Sequence, residues 1–301
     1  MSQLTISAPR SILHSVRRAA IEPASPIDPA PDAPTLVRST QRGHNRLGLG
    51  KADPRGWLIG PALLLIYWAA GSATDFIDPR ILPAPWTTVH TAIGLIADGR
   101  LPANLLVSLV RVVEGVAIGT VVGVVLALIA GLSLVGGYIF DSLMQLKRAI
   151  PVLAVIPFFI LWFGIGEVMK ESIIVLAVVT PVYLQTHNAL RGIDLRYVEL
   201  AETTRLSQWQ FLRHIVLPGA LPGFLLGFRF AVLWAWLALV VVEQFNATSG
   251  IGYMINLAEI YAQTDVMLVG VVTYAVMGAG SEALVRVLEG RLLGWRRTLA
   301  A

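Results

Sequence analysis

The sequence predicts an all-α polytopic membrane protein. Hydrophobic residues make up 55% of the 301 residues, charged residues make up 14%, and the mean hydropathy is +0.70. Soluble domains contain about 25% charged residues. Several apolar runs reach about 20 residues, which is the length that a helix needs to cross the hydrocarbon core of a bilayer. Because lipid offers the backbone no hydrogen-bond partners, these runs must be helical.

Six transmembrane spans are predicted, at about 57–76, 112–133, 149–166, 170–190, 222–243 and 266–288. The boundary of the third span is the weakest, because residues 137–150 are amphipathic and Pro151 and Pro157 interrupt the apolar run. We expect a kinked or broken helix there. A short amphipathic helix is expected at about 86–98, before the second span.

The distribution of positive charge predicts the orientation. An even number of spans places both termini on one side of the membrane. Lys and Arg are concentrated in 1–55, 133–148, 191–218 and 286–301, and are sparse in the other connections. Because cytoplasmic segments carry the excess of Lys and Arg, both termini are expected in the cytoplasm. The loop 191–218 is then cytoplasmic and the loop 77–104 is external.

Residues 1–54 are predicted to form a disordered cytoplasmic tail, and residues 55–301 the membrane domain. The tail is rich in proline and poor in large apolar residues, a composition that is typical of disorder. A partner-binding arm is the alternative.

Several kinds of chemistry are excluded by residue type. The chain has no cysteine, so disulfides, thiolate catalysis and cysteine-ligated metals are excluded. The five histidines are far apart in the sequence, and no metal site is predicted. The only Gly-Lys pair, Gly50-Lys51, lacks the spacing of a nucleotide-binding P-loop. We therefore expect no catalytic residues, no bound cofactor and no enzyme activity. The net charge of +4 fits cytoplasmic loops better than nucleic-acid binding.

Two spans carry small residues at every fourth position, which lets helix backbones approach closely in lipid. The pattern indicates either packing inside one bundle or a self-association seam, and it places these two helices at the centre. The positions are Gly115, Gly119, Gly123, Ala127 and Gly131, and then Gly219, Gly223, Gly227, Ala231 and Ala235.

The cytoplasmic loop 191–218 is polar but has a partial apolar stripe, which fits one or two short amphipathic helices at the membrane surface. Its stripe consists of Tyr197, Leu200, Thr204, Trp209 and Leu212. Two interpretations stay open on periodicity alone. The loop either docks a partner or packs as an interfacial helix beneath the bundle.

The spacing of residues within this loop resembles the EAA loop of ABC importer permeases. The segment reads Glu199-Leu200-Ala201, then Arg205, then Ile215-Val216-Leu217-Pro218. In that family the loop forms coupling helices that insert into a cleft on the ATPase subunit. The family has Ala at the place of Leu200 and Gly at the place of Arg205. Arg205 must therefore adopt either a strained conformation or a different turn.

The resemblance extends over residues 55–298 and is closest to the sulfonate branch of the sulfonate, taurine and nitrate permeases. Segments that carry it are 161–167, 208–223, 248–254 and 263–265. It implies a type I importer permease in the bacterial cytoplasmic membrane. It further implies a homodimer, two copies of an ATPase subunit that uses ATP, and a periplasmic or extracellular substrate-binding protein. Such a permease moves a small anion inward by alternating access.

In this arrangement, Glu199 and Ala201 would seat the coupling helix, and Leu217-Pro218 would fix the restart of the fifth span. The binding protein would dock on an external surface that includes 244–265. The rival classes are an ion-coupled secondary transporter or channel that needs no ATPase, and a membrane scaffold that transports nothing.

A possible substrate path is predicted from polar or aromatic residues in the spans. Arg229 either faces an anion path or snorkels to the cytoplasmic headgroups. Glu243 is a gate element or an interfacial residue, with the interface favoured. Arg148, beside Lys147, either attracts an exiting anion or anchors its span. Trp236 is a packing residue or a path residue, with packing favoured.

A local ion pair between Arg111 and Glu114, three residues apart on one helix, is also expected.

Overall fold

The computed structural model describes residues 59–245 and 247–295, and all regular structure in these residues is helical. The predicted tail at 1–54 lies outside the described residues. The helices in the described part are α1 (Ile59–Ala73), α2 (Pro85–Ala97), α3 (Arg100–Leu132), α4 (Leu134–Ala149), α5 (Val152–Phe163), α6 (Glu167–Arg191), α7 (Leu195–Thr203), α8 (Gln208–Phe211), a π-helical segment (Leu212–Val216), α9 (Leu217–Gln244), α10 (Ile251–Ile260) and α11 (Thr264–Leu292).

The all-α polytopic fold is confirmed, but the described residues contain fewer full-length spans than the six predicted. Four helices are long and apolar enough to cross a membrane: α3, α6, α11 and the continuous helix Gln208–Gln244. The pair α4 and α5 makes a fifth if it counts as one broken span. In the position of the first predicted span, α1 is apolar but has 15 described residues.

The predicted break in the third span is confirmed. Helices α4 and α5 meet at an angle of 103°. Ile150 has an extended backbone (φ −94°, ψ 116°) and ends α4, because the ring of Pro151 disfavours a helical conformation of the preceding residue. Pro157 lies inside α5 without ending it.

Both small-residue stripes face α6. A Cβ added at Gly119 of α3 would lie 2.6 Å from Val178 Cγ1, and one added at Gly227 of α9 would lie 2.9 Å from the carbonyl oxygen of Pro181. Packing within one bundle is therefore the correct interpretation of the stripes. The predicted central position holds for α9, which packs against α3, α5, α6, α10 and α11, while α6 lies between α3 and α9. The most apolar part of α6 is 61% buried, compared with 28% for α3 and 50% for the α9 helix.

We predict that Gly119→Ala destabilises the protein by about 1–3 kcal/mol, because the added methyl group overlaps Val178 in a tightly packed contact. Unfolding by SDS in mixed micelles measures the change. The matched control is Gly94→Ala in α2, where an added Cβ meets nothing within 4 Å. Equal stability of the two variants would contradict the close α3–α6 contact.

Candidate functional site

The loop 191–218 forms two short helices, as predicted. Asp194 caps α7, where its carboxylate accepts a hydrogen bond from the backbone N–H of Arg196 (3.0 Å). Ser207 and Gln210 form a reciprocal capping box at the start of α8. Caps of this kind satisfy backbone N–H groups that have no partner in the first turn of a helix. The sequence therefore specifies both helix starts locally.

Arg205 adopts the strained conformation, which was one of the two predicted outcomes. Its φ is +51°. The N–H of Leu206 donates to the carbonyl of Ala201 (2.9 Å), and the N–H of Arg205 donates to that of Glu202 (3.1 Å). This is the Schellman arrangement that ends a helix, and glycine normally occupies the left-handed position. Arg205 thus forms the left-handed turn for which glycine is the usual residue.

Several apolar side chains of the two short helices point away from the bundle. Leu195, Tyr197, Leu200 and Trp209 are all more than half exposed, whereas Ala201 is buried. Phe211 of α8 packs inward against the bundle. The exposed side chains form an apolar surface of the kind that a partner protein or the lipid headgroup region covers, so both interpretations of the loop stay open.

Helix α8 continues into α9 without a loop. The π-helical segment Leu212–Val216 joins them, and the N–H of Leu217 donates to the carbonyl of Leu212, five residues earlier. Leu217 and Pro218 therefore mark the change from the π-helical segment to α9, with no loop before it. Pro218 lies in the first turn of α9, where its missing N–H is tolerated because the wider π-helical turns precede it. A displacement of α8 would act directly on α9.

At the opposite end of the spans, Arg111 lies in a buried cluster of charges. Its guanidinium group donates to Glu167 through Nε (2.6 Å) and Nη2 (2.7 Å), and to Oε1 of Glu243 through Nη1 (2.7 Å). Lys170 adds a second contact to Glu167 (2.8 Å). The expected pair of Arg111 with Glu114 is wrong, because carboxylates on two other helices fit the planar guanidinium fork.

Glu243 is an internal residue of this cluster, with 1% of its surface exposed. It accepts hydrogen bonds from Ser108 of α3 (2.8 Å), from the backbone N–H of Gly252 in α10 (2.8 Å) and from Tyr274 of α11 (2.9 Å). The favoured interfacial position of Glu243 is therefore wrong, and the residue lines no open path. Sequence reasoning missed these partners, although a carboxylate after a run of three valines requires partners of some kind.

Arg229 and Trp236 also bond within the fold. Arg229 forms an ion pair with Glu282 of α11. The indole N–H of Trp236 donates to Ser281 (3.1 Å), and its ring meets Tyr274 edge to face. Packing, the favoured interpretation of Trp236, is confirmed. Arg229 bonds to a carboxylate on α11, an arrangement that neither alternative for it anticipated.

Arg148 is the predicted path residue that lines a cavity. A cavity of 350 Å³ lies where α4 and α5 meet α6 and α9. Its lining consists of Lys147, Arg148, Ile150, Pro151, Val152, Ala177, Thr180, Pro181, Leu184, Gln185, Phe230 and Trp234. The Nζ of Lys147 donates to the carbonyl of Leu176 (2.6 Å) and to the hydroxyl of Thr180.

Comparisons with known proteins decide the family. Residues 119–294 match the family described as binding-protein-dependent transport system inner membrane component. The chain is 37% identical over 246 residues to the aliphatic sulfonates transport permease protein SsuC of Bacillus subtilis, which covers 81% of this chain and 89% of the relative. The chain belongs to this permease family.

Further relatives lie in the same group. The permease is 38% identical to SsuC of Escherichia coli over 79% of this chain and 90% of the relative. It is 31% identical to the taurine transport system permease protein TauC of the same organism, over 78% of this chain and 87% of the relative. A solved amino acid ABC transporter crystallised with histidines has the same fold, with a TM-score of 0.51 and 17% identity, covering 62% of this chain and 92% of that chain.

We predict that Arg111→Gln destabilises the permease by about 3–5 kcal/mol, because it leaves a buried Glu243 carboxylate without its cation. The double variant R111Q/E243Q should lose less than the sum of the two single losses. SDS unfolding in mixed micelles measures the cycle. Arg100→Gln is the control, because its pair with Asp98 is exposed and contributes at most about 1 kcal/mol. If the stability loss of the double variant equalled the sum of the two single losses, the coupling between Arg111 and Glu243 would be contradicted.

We predict that Arg205→Gly raises the free energy of unfolding by about 1 kcal/mol, because glycine adopts a positive φ without the Cβ penalty. Arg205→Val should lower it, since a β-branched residue is the least tolerant of this conformation. The two variants are compared in the same SDS titration. A gain in stability for valine would rule out the left-handed turn.

Proposed function

We propose that this chain is the permease subunit of an ATP-driven importer that carries a small sulfonate-type anion inward by alternating access. The names of its relatives, aliphatic sulfonates and taurine transport permeases, support this class of solute. The active unit is a homodimer with two ATPase subunits and one substrate-binding protein. ATP is bound and hydrolysed by the partner subunit.

One observation carries the coupling role of the loop: it has exposed apolar side chains on α7 and α8, and α8 is continuous with a span. Leu200 and Trp209 are exposed on α7 and α8, and α8 runs through the π-helical segment into α9. An ATPase that binds these side chains would displace α9 directly, because no flexible linker separates α8 from α9. Clusters of exposed aromatic and aliphatic residues are typical of protein interfaces.

The charge distribution supports a cytoplasmic position for this loop and for both termini. The cluster around Arg111 then lies at the external end of α3, α6 and α9. There Glu243 accepts a hydrogen bond from the N–H of Gly252, and Asn104 of α3 accepts one from the N–H of Gly250. These bonds hold the start of α10, within the proposed docking surface 244–265 of the binding protein. ATP-driven closure at one end and substrate delivery at the other fit an alternating-access cycle.

We predict that Glu199→Lys abolishes ATP-dependent uptake of ethanesulfonate, while the permease still inserts and folds. Glu199 is exposed on α7, so the reversed charge disturbs docking and not the bundle. Uptake is measured in proteoliposomes that contain the assembled transporter, and ATPase recovery is measured by co-purification of the complex.

The matched control is Asp98→Lys, a charge reversal at the exposed start of α3, which should leave uptake intact. Normal uptake in the Glu199→Lys variant would show that Glu199 is not needed for coupling. Sulfonate uptake by the purified permease without any ATPase would instead favour an ion-coupled carrier.

A further inference from the structure

The charges within the spans differ in how they are neutralised. Arg111, Lys170 and Arg229 each contact a carboxylate. In the described residues, neither Lys147 nor Arg148 has a carboxylate partner, although both line the cavity at the bend. Uncompensated charge at membrane depth is unfavourable, so such residues in transporters mark the paths of ions and charged substrates.

This cavity lies near the middle of the spans, although the charge distribution in the sequence assigns the two cations that line it to a cytoplasmic segment, 133–148. Thr180 is 13 residues from the start of α6, which places it about 20 Å along a helix of about 37 Å, and Phe230 lies equally far along α9. Asp141 of α4 accepts a hydrogen bond from Tyr183 of α6 (2.5 Å). This contact holds α4 against α6 and fixes the two cations at the break.

The ammonium group of Lys147 has a hydrogen-bond donor left to bind a ligand. An ammonium group has three N–H donors, and the structure assigns two of them to neutral oxygens, those of Leu176 and Thr180. The guanidinium of Arg148 is exposed beside it. Two adjacent cations with open donors match the oxygens of a sulfonate group, for which charge-assisted hydrogen bonds are strong.

The rest of the lining fits the carbon chain of such a solute. Val152, Leu184, Phe230 and Trp234 form an apolar wall, and Gln185 adds one neutral polar group. Sites for small organic ligands combine a mainly apolar lining with a few polar groups that fix orientation. A volume of 350 Å³ holds a short alkanesulfonate.

We propose that this cavity binds the sulfonate group of the transported solute through Lys147 and Arg148, with its carbon chain against Phe230 and Trp234. The proposal rests on the proposed function for the identity of the solute. Arg148 and Lys147 are then path residues, not anchors of the span.

The absence of native cysteine permits a direct test that does not require transport. A single Val152→Cys places a thiol on the cavity wall, and Gln145→Cys on α4 is the matched control outside the lining. In the assembled transporter, each thiol is reacted with anionic 2-sulfonatoethyl methanethiosulfonate and with its cationic trimethylammonioethyl counterpart. Mass spectrometry of the permease gives the two rates.

We expect the anionic-to-cationic rate ratio at Val152→Cys to exceed that at Gln145→Cys by about tenfold or more, since a cleft of one charge concentrates counter-ions. Adding Lys147→Gln and Arg148→Gln should reduce the ratio to that of the control. Lys147→Arg should preserve it, and ethanesulfonate should slow the anionic reaction. The proposal would be overturned if the anionic-to-cationic rate ratio were equal at the two positions. It would also be overturned if Lys147→Gln and Arg148→Gln together left the ratio at Val152→Cys unchanged.

Uptake separates this proposal from the proposed function. In proteoliposomes, Lys147→Gln should lower ethanesulfonate uptake about tenfold, while ATP hydrolysis stimulated by the loaded binding protein persists. The control Gln145→Leu should retain both. Full uptake by the doubly neutralised variant would overturn the cavity site alone. A wild-type transporter that takes up no sulfonate would refute the proposed function, and the labelling ratios would still decide whether the cavity attracts anions.

Discussion

The fold depends on the close contact of two small-residue faces with one central helix. At Gly119 and Gly227 even a methyl group would overlap atoms of α6. In lipid there is little hydrophobic gain from bringing helices together, so van der Waals contact must supply much of the association. Three helices, α3, α5 and α9, pack directly on α6, while α4 packs on α3, and α10 and α11 pack on α9 and on each other.

Charge is distributed unevenly around this framework. At one end of the spans, Arg111 joins Glu167 and Glu243 in a network that links four helices and the start of α10. In such a network each donor and acceptor is satisfied, so it rigidifies the elements that it connects. At the bend of α4–α5, Lys147 instead donates to neutral oxygens, and Lys147 and Arg148 both line an open cavity. The first arrangement favours a fixed structure, and the second favours exchange of a mobile anion.

The loop 191–218 combines a strained turn with a continuous connection to a span. Arg205 carries backbone strain of about 1–2 kcal/mol, and the π-helical segment before Leu217 lets α8 and α9 form one continuous helix. The continuous helix fixes α8 relative to α9, and the turn at Arg205 connects α7 to α8. A displacement of the exposed side chains of α8 is therefore passed directly to α9.

The sequence alone determined the helical class, the break at Pro151, and the helix starts at Asp194 and Ser207, while at Arg205 it left a strained conformation and a different turn open. These features depend on interactions within a few residues or on the length of an apolar run. Only the tertiary structure decided that α6 is central, that Arg111 pairs with Glu167 and Glu243 and not with Glu114, and that Arg229 pairs with Glu282. The sequence indicates that a charge within an apolar run needs a partner. Which distant carboxylate it pairs with depends on which helix faces meet in space.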